Sequence, residues 1–299
     1  MRELLRWQLS GQRQRWPAWV ETEQAKPDAR VTGDALRLTF VGHATVLVQT
    51  DGVNLLTDPL WSDRASPLRF VGPKRVHAPG VALDDLPPID IVLVSHNHYD
   101  HLDHDTLAAL EMAHHPIFVT PLGNAACMPR TIARHRIVEL DWDHRWHGEN
   151  DVTVEAEAVA HWSARTRSDT NAALWAGFTV QVGTRKIYFA GDTGFAEGMP
   201  FSATAAKHGH FDAALLPIGA YAPRWFMADA HMDPDEAVAA HRLLGCPPTL
   251  GIHFGTFQLT DEARDEPEAR LHALVQGDSA LNAFRTLPPG GAWDVYRSS

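Results

Sequence analysis

Alternation and continuous apolar runs divide this chain into short strands. Leu36 to Phe40 alternates apolar and polar side chains, the period-two mark of a strand with one buried face. Thr45 to Gln49 is rich in β-branched residues, and Asp51-Gly52 then predicts a tight hairpin turn into a strand from Val53 to Thr57. After Pro87-Pro88, the run Ile91-Val92-Leu93-Val94 is apolar at every position, which predicts a strand buried on both faces. Runs of the same kind recur at Ile117 to Thr120, Ile137 to Leu140, Phe178 to Val182, Ile187 to Ala190, Leu215 to Ile218 and Leu250 to His253. Helices fall between them. One spans about Thr106 to Ala113. Another starts at Asp233 as N-cap, with Pro234 in the first helical position, Glu236 completing a capping box and Gly245 as left-handed stop. Strands interleaved with helices predict a layered α/β domain over residues 36–299.

Residues 1–35 break the pattern. Leu4, Leu5 and Leu9 fall near helical spacing, with Arg2, Arg6, Arg13 and Arg15 around them and Trp7, Trp16 and Trp19 alongside. One reading is a short basic amphipathic helix resting at a membrane interface. The other, favoured by the interrupting Pro17, is an arm packed on the domain or partly disordered. Composition narrows the function classes. The 299 residues are 44% hydrophobic and 21% charged, enough apolar content for a large core. A net charge of -11 excludes a nucleic-acid groove, which needs clustered Lys and Arg. Cys127 and Cys246 form no C-x-x-C pair, so neither a thiolate zinc site nor a disulfide framework is expected, and both read as small buried residues. No stretch approaches the ~20 apolar residues of a transmembrane helix, and the N-terminus carries no secretory h-region or cleavage site. The expected location is the cytoplasm, with peripheral membrane contact following only from the amphipathic reading of the N-terminal arm.

The chemistry concentrates in Ser95-His96-Asn97-His98-Tyr99-Asp100-His101-Leu102-Asp103, directly after the buried run ending at Val94. His96 and His98 are two apart, which in extended backbone points both rings to one side. Asp100 and His101 follow where the chain should turn toward the next helix. A single metal cannot easily use four such neighbours, but two adjacent metals can share them. Further ligand-type residues sit at other strand ends: His161 after Val159-Ala160, Asp192 after Ala190-Gly191, and His253 after Ile252. Each alone is an ordinary turn or surface residue; beside the histidine-rich loop they become candidates together.

With these residues in view, the sequence resembles the metallo-β-lactamase superfamily, and within it the branch of N-acyl phosphatidylethanolamine-hydrolysing phospholipase D and its bacterial relatives. The resemblance rests on the His-x-His-x-Asp-His loop and on Gly42-His43-Ala44-Thr45, Leu56-Thr57-Asp58-Pro59, Gly72-Pro73-Lys74-Arg75, His161-Trp162, Phe189-Ala190-Gly191-Asp192-Thr193-Gly194, Pro223-Arg224-Trp225-Phe226-Met227, His231-Met232-Asp233-Pro234 and His253-Phe254-Gly255-Thr256-Phe257. It covers roughly Gly42 to Pro267. It implies an αβ/βα sandwich of two sheets flanked by helices, with two metals at one edge. By position, His96, His98 and His161 would hold one zinc, Asp100, His101 and His253 the second, and Asp192 would bridge them; manganese or iron are alternatives to zinc.

The implied chemistry is attack of a metal-bridging hydroxide on a phosphodiester, with Asp100 and Asp192 holding the metals and His231 in an auxiliary substrate or proton-transfer role. The implied substrate is a phospholipid; a small soluble phosphodiester or a lactone is the alternative, and the family is compatible with a homodimer. His43 and Asp58 are candidates for orienting ligand imidazoles, with capping of the turn before Pro59 an equal reading for Asp58. Trp225-Phe226-Met227 reads as core packing slightly ahead of an acyl-chain groove.

Overall fold

The computed structural model describes residues 13–296. Two seven-stranded mixed sheets stack face to face. The first carries, in spatial order, β14 (Ala292–Val295), β1 (Leu36–Gly42), β2 (Thr45–Thr50), β3 (Val53–Thr57), β4 (Ile91–Leu93), β5 (Ile117–Pro121) and β6 (Ile137–Leu140). The second carries β13 (Phe284–Arg285), β12 (Thr249–Ile252), β11 (Ala213–Pro217), β10 (Arg185–Phe189), β9 (Gly177–Val182), β8 (Val152–Glu157) and β7 (Arg145–His147). Strands β3 to β6 run parallel, as do β10 to β13.

The unbroken apolar runs have a direct cause. In β4, Ile91 and Leu93 point into the core between the sheets, while Val92 and Val94 point the other way, against α1 (His104–His114). In β2, Val46 and Val48 face the sheet–sheet core and Leu47 the helix layer. Both faces are covered, so apolar residues fill successive positions, and the buried polar ones, such as Gln49 and Asn54, bond to each other. The second sheet repeats this: Phe189 and Leu215 meet the first sheet, whereas Tyr188 and Leu216 pack with Phe201 of α2 (Met199–His208), Val238 of α4 (Pro234–Leu243) and Leu271 of α5 (Glu266–Val275). A further helical turn, α3, covers Arg224–Met227. The layers run helix, sheet, sheet, helix.

Local signals hold. Asp51 and Gly52 both take positive φ (49° and 76°), as the hairpin between β2 and β3 requires. Asp233 accepts from the Glu236 backbone N–H while the Glu236 carboxylate accepts from that of Asp233, the reciprocal box expected at the head of α4, and Gly245 follows the helix at φ 84°. The proposed terminal amphipathic helix is different. Arg2, Leu4, Leu5, Arg6, Trp7 and Leu9 lie outside the described residues, and from Arg13 onward the arm is not helical. It is laid on the domain instead: Trp16 Nε1 donates to the Glu262 carbonyl, the Val20 N–H to Val76, and Ala25 bridges Val81. Among the described residues, no helix is long and apolar enough to cross a membrane. The cysteines depart from expectation in part: Cys127 and Cys246 are free thiols, each only half-buried, Cys127 at the edge of the core under the first sheet and Cys246 just past the end of α4.

Candidate metal centre

The carboxyl ends of β3, β4, β10 and β12 open on one edge of the sandwich, and the site is assembled there from the loops that follow each strand. After β4 the chain stays extended through His98 and then turns, the His98 carbonyl accepting from the N–H groups of both His101 and Leu102. That brings all four ligand-type residues of the loop to one cavity. His161 arrives from beyond β8, Asp192 from beyond β10 and His253 from beyond β12.

Seven side chains meet in two adjoining groups. In the first, His96 Nε2 lies 2.9 Å from His98 Nδ1, which lies 3.3 Å from His161 Nε2. In the second, His101 Nε2 and His253 Nε2 are 3.2 Å apart, each 3.4 Å from Asp100 Oδ2. Asp192 Oδ2 stands 3.0 Å from His101, 3.1 Å from His253 and 3.9 Å from His161. On three of the rings the opposite nitrogen is already engaged. His101 Nδ1 donates to Asp58 Oδ2 at 2.6 Å, His96 Nδ1 meets Ser95 Oγ, and His161 Nδ1 meets the Ala230 carbonyl. These three rings therefore present Nε2 to the centre.

These residues fit divalent cations. Three donors around one ion at ~2.1 Å in tetrahedral arrangement stand ~3.4 Å apart, and the observed separations of 2.9 to 3.4 Å are of that size. Asp192 is buried, and its Oδ1 has no hydrogen-bond partner. The electrostatics point the same way. Burial opposes charge on Asp100 and Asp192, but the facing histidines outweigh it and hold both carboxylates well below their usual range. Burial likewise opposes charge on His253, yet the carboxylates push it up to about 9, and they hold His101 well above an ordinary imidazole. His96 and His161 are driven well down by burial first. A buried pair of anions demands compensating positive charge, which divalent cations held by these side chains would supply.

Of the orienting candidates, Asp58 is fully buried and accepts from the Ser95 N–H, Ser95 Oγ and His101 Nδ1. It aligns a site imidazole rather than capping the turn before Pro59. His43 Nε2 sits 3.1 Å from Asp100 Oδ2, and the His43 carbonyl accepts from the His253 N–H. His43, Asp58 and His253 all hold positive φ (57°, 33° and 62°), so three left-handed non-glycine residues gather at the site. At Gly191 (φ 60°) a Cβ would lie 2.8 Å from that of Ser95, so glycine is what lets the Asp192 loop close on the histidine loop. His231 is buried at the rim, its Nδ1 3.9 Å from Asp192 Oδ2, and burial pushes it down to about 4, so its ring is neutral near pH 7.

A cavity of about 650 Å³ opens over the centre, lined among others by His98, Asp100, Asp192, Trp162, Phe226, Met227 and His231. Core packing is thus the wrong reading of Trp225-Phe226-Met227. The short α3 projects from the rim, leaving Trp225 58% and Phe226 45% exposed, with Phe226 and Met227 forming cavity wall. Sequence reasoning missed Ser95 and Arg165. Ser95 adjoins the loop and was within reach, whereas nothing in the spacing marks Arg165.

Comparison with known proteins follows this geometry. Residues 53–254 match the model of the beta-lactamase superfamily domain. A Caenorhabditis elegans protein named N-acyl-phosphatidylethanolamine-hydrolyzing phospholipase D 1 is 39% identical over 268 residues, which is 86% of this chain and 75% of that one. An uncharacterized protein of Mycobacterium tuberculosis is 43% identical over 250 residues, 82% of this chain and 66% of its own length. Among solved structures, isothiocyanate hydrolase from Delia radicum gut bacteria superposes with a TM-score of 0.67 at 18% identity, covering 87% of this chain and 100% of that one; at such identity the likeness is one of fold.

Proposed function

We propose a phosphodiesterase of phospholipase D type, from the premise that this chain belongs to the metallo-β-lactamase superfamily and is a metal-dependent hydrolase. Its substrate in this reading is an N-acyl phosphatidylethanolamine-like phospholipid, cleaved to phosphatidate and an N-acylated alcohol. The carrying observation is the cavity itself: a mostly hydrophobic wall of Trp162, Phe226 and Met227 directly over a floor of Asp100 and Asp192. That combination suits a molecule with an acyl chain beside a phosphodiester. The name of the nematode relative supports the same class.

In this assignment His96, His98 and His161 would hold one divalent ion and Asp100, His101 and His253 a second, with Asp192 available to both. Mixed imidazole and carboxylate donors suit zinc, with manganese or iron as alternatives. When bound, such a pair supplies Lewis acidity at the phosphoryl oxygens and nucleophilic water near neutral pH. The chain's own groups do the positioning. Asp58, Ser95 and the Ala230 carbonyl keep the imidazoles aimed. His231, neutral and at the rim, is placed to orient the phosphate or move a proton at the leaving oxygen. Trp162, its ring 4.4 Å from that of His98, together with Phe226 offers an apolar surface beside the reacting face.

The test pairs metal content with hydrolysis of N-acyl phosphatidylethanolamine and of bis-(p-nitrophenyl) phosphate. About two metals per chain with lipid cleavage at the distal phosphoester bond is the expected result. Turnover of the soluble ester alone would move the substrate to small phosphodiesters or lactones. Less than one metal and no turnover after zinc or manganese is added would overturn the reading.

A further inference from the structure

Arg165 lies four residues beyond His161, on a segment fixed by its own turn. The Arg165 and Thr166 N–H groups both donate to Asp169 Oδ1, and the Asn171 N–H donates back to the Ser163 carbonyl. From this base the side chain reaches across to the loop bearing His96, His98, Asp100 and His101. Its Nη1 donates at 2.9 Å to the carbonyl of Asn97, between the first two histidines, and at 2.9 Å to the carbonyl of Leu102, directly after the last. The guanidinium lies 4.0 Å over the ring of Tyr99, at the apex of that loop, and Tyr99 Oη donates to the Arg165 carbonyl at 3.0 Å.

We infer that Arg165 is a positioning residue for the metal centre, one that closes the His96–His101 loop like a clasp and locks it to the segment carrying His161. One cationic nitrogen shared by two carbonyls fixes the distance between the two ends of the loop. Two neighbouring carbonyls repel one another and are costly to leave without a donor. The flat guanidinium can satisfy both while stacking on an aromatic ring; an ammonium offers the charge without the stacking. The link also joins the two halves of the site. The loop leaves the first sheet, His161 follows the second, and the mutual Arg165–Tyr99 bonds hold them in register. Arg165 touches none of the seven ligand-type side chains, so its effect passes through the backbone that carries them. This inference rests on the metal-hydrolase reading of the site.

The experiment compares the full-length protein with Arg165→Met and Arg165→Lys, measuring zinc affinity by competition with a chromogenic chelator, the Tm of the metal-free protein, and kcat and KM on a soluble phosphodiester. Arg165→Met is expected to lose metal affinity by about tenfold to a hundredfold, the usual effect of removing a group that supports a metal ligand. It should lose kcat with little change in KM. Arg165→Lys should recover part of both, and its gain in metal affinity over Arg165→Met should exceed what their difference in metal-free Tm accounts for. Unchanged metal affinity in Arg165→Met overturns the inference, as does a Lys variant that recovers Tm but no metal affinity. Should Arg165→Met fail to fold, Arg165→Lys and Tyr99→Leu carry the same comparison. If the unaltered protein itself binds no metal, the site reading fails instead, and the two failures are separate.

Discussion

Asp58 decides more at this site than its distance from the histidine loop suggests. One buried carboxylate takes hydrogen bonds from the Ser95 N–H, Ser95 Oγ and His101 Nδ1. Removing its charge in Asp58→Asn lets the His101 ring change tautomer and turn, and zinc affinity is expected to fall about tenfold to a hundredfold, measured by chelator competition. At the rim, His231→Gln should lower kcat on a phosphodiester and flatten one limb of its pH profile; an unchanged turnover and profile would remove His231 from the mechanism. Gly191→Ala puts a Cβ 2.8 Å from that of Ser95 in a left-handed backbone position, so a Tm loss with weakened metal retention is expected. The seven ligand-type residues were legible because four lie in one short loop and three sit just past strand ends. Asp58 could be named but not decided between its two roles, and Arg165 could not be named at all. Both act through hydrogen bonds between segments far apart in sequence, which leave no local pattern.

Elements were legible where burial is two-sided or punctuation is strong. The runs at β4 and β11 and the capping box at Asp233 announce themselves. Strand β8 did not, although Val152-Thr153-Val154-Glu155-Ala156-Glu157 alternates: alternation alone would put its glutamates on a solvent face, whereas both are buried. Arg145, Lys207 and His208 gather around them and make that burial tolerable. Helices α2 and α5 were missed because their apolar stripes are narrow, with only Phe201 and Thr204 buried in α2 and Pro267 and Leu271 in α5. The capping box gives a prediction on this scale. Asp233→Ala should cost about 1 kcal/mol, read as a Tm lower by about 2–4 °C for a chain of this size. Metal affinity should be unaffected, since the box touches no ligand.

For the whole molecule, acid sensitivity follows from buried neutral histidine. His241 in α4 is fully buried, its Nδ1 2.8 Å from Thr249 Oγ1, and burial pushes it down to about 4. Its unfolded value is near 6.5, so the unfolded chain takes up the proton first and stability declines as pH falls from about 6.5 to about 4, then levels. The share from His241 is on the order of 3 kcal/mol. Urea unfolding across that range should show the decline, and His241→Gln should reduce it, with buried His43 and His77 contributing the same sign. The largest consequence lies in where the centre was built. His96, His98, Asp100 and His101 leave the first sheet; His161, Asp192 and His253 leave the second. An ion bound by both is therefore a rivet through the seam between two half-molecules. At a free concentration of about a thousand times Kd it would stabilise the folded chain by about 4 kcal/mol. The metal-free chain would then unfold more readily, and it should be cut faster by an added protease than the metal-loaded chain.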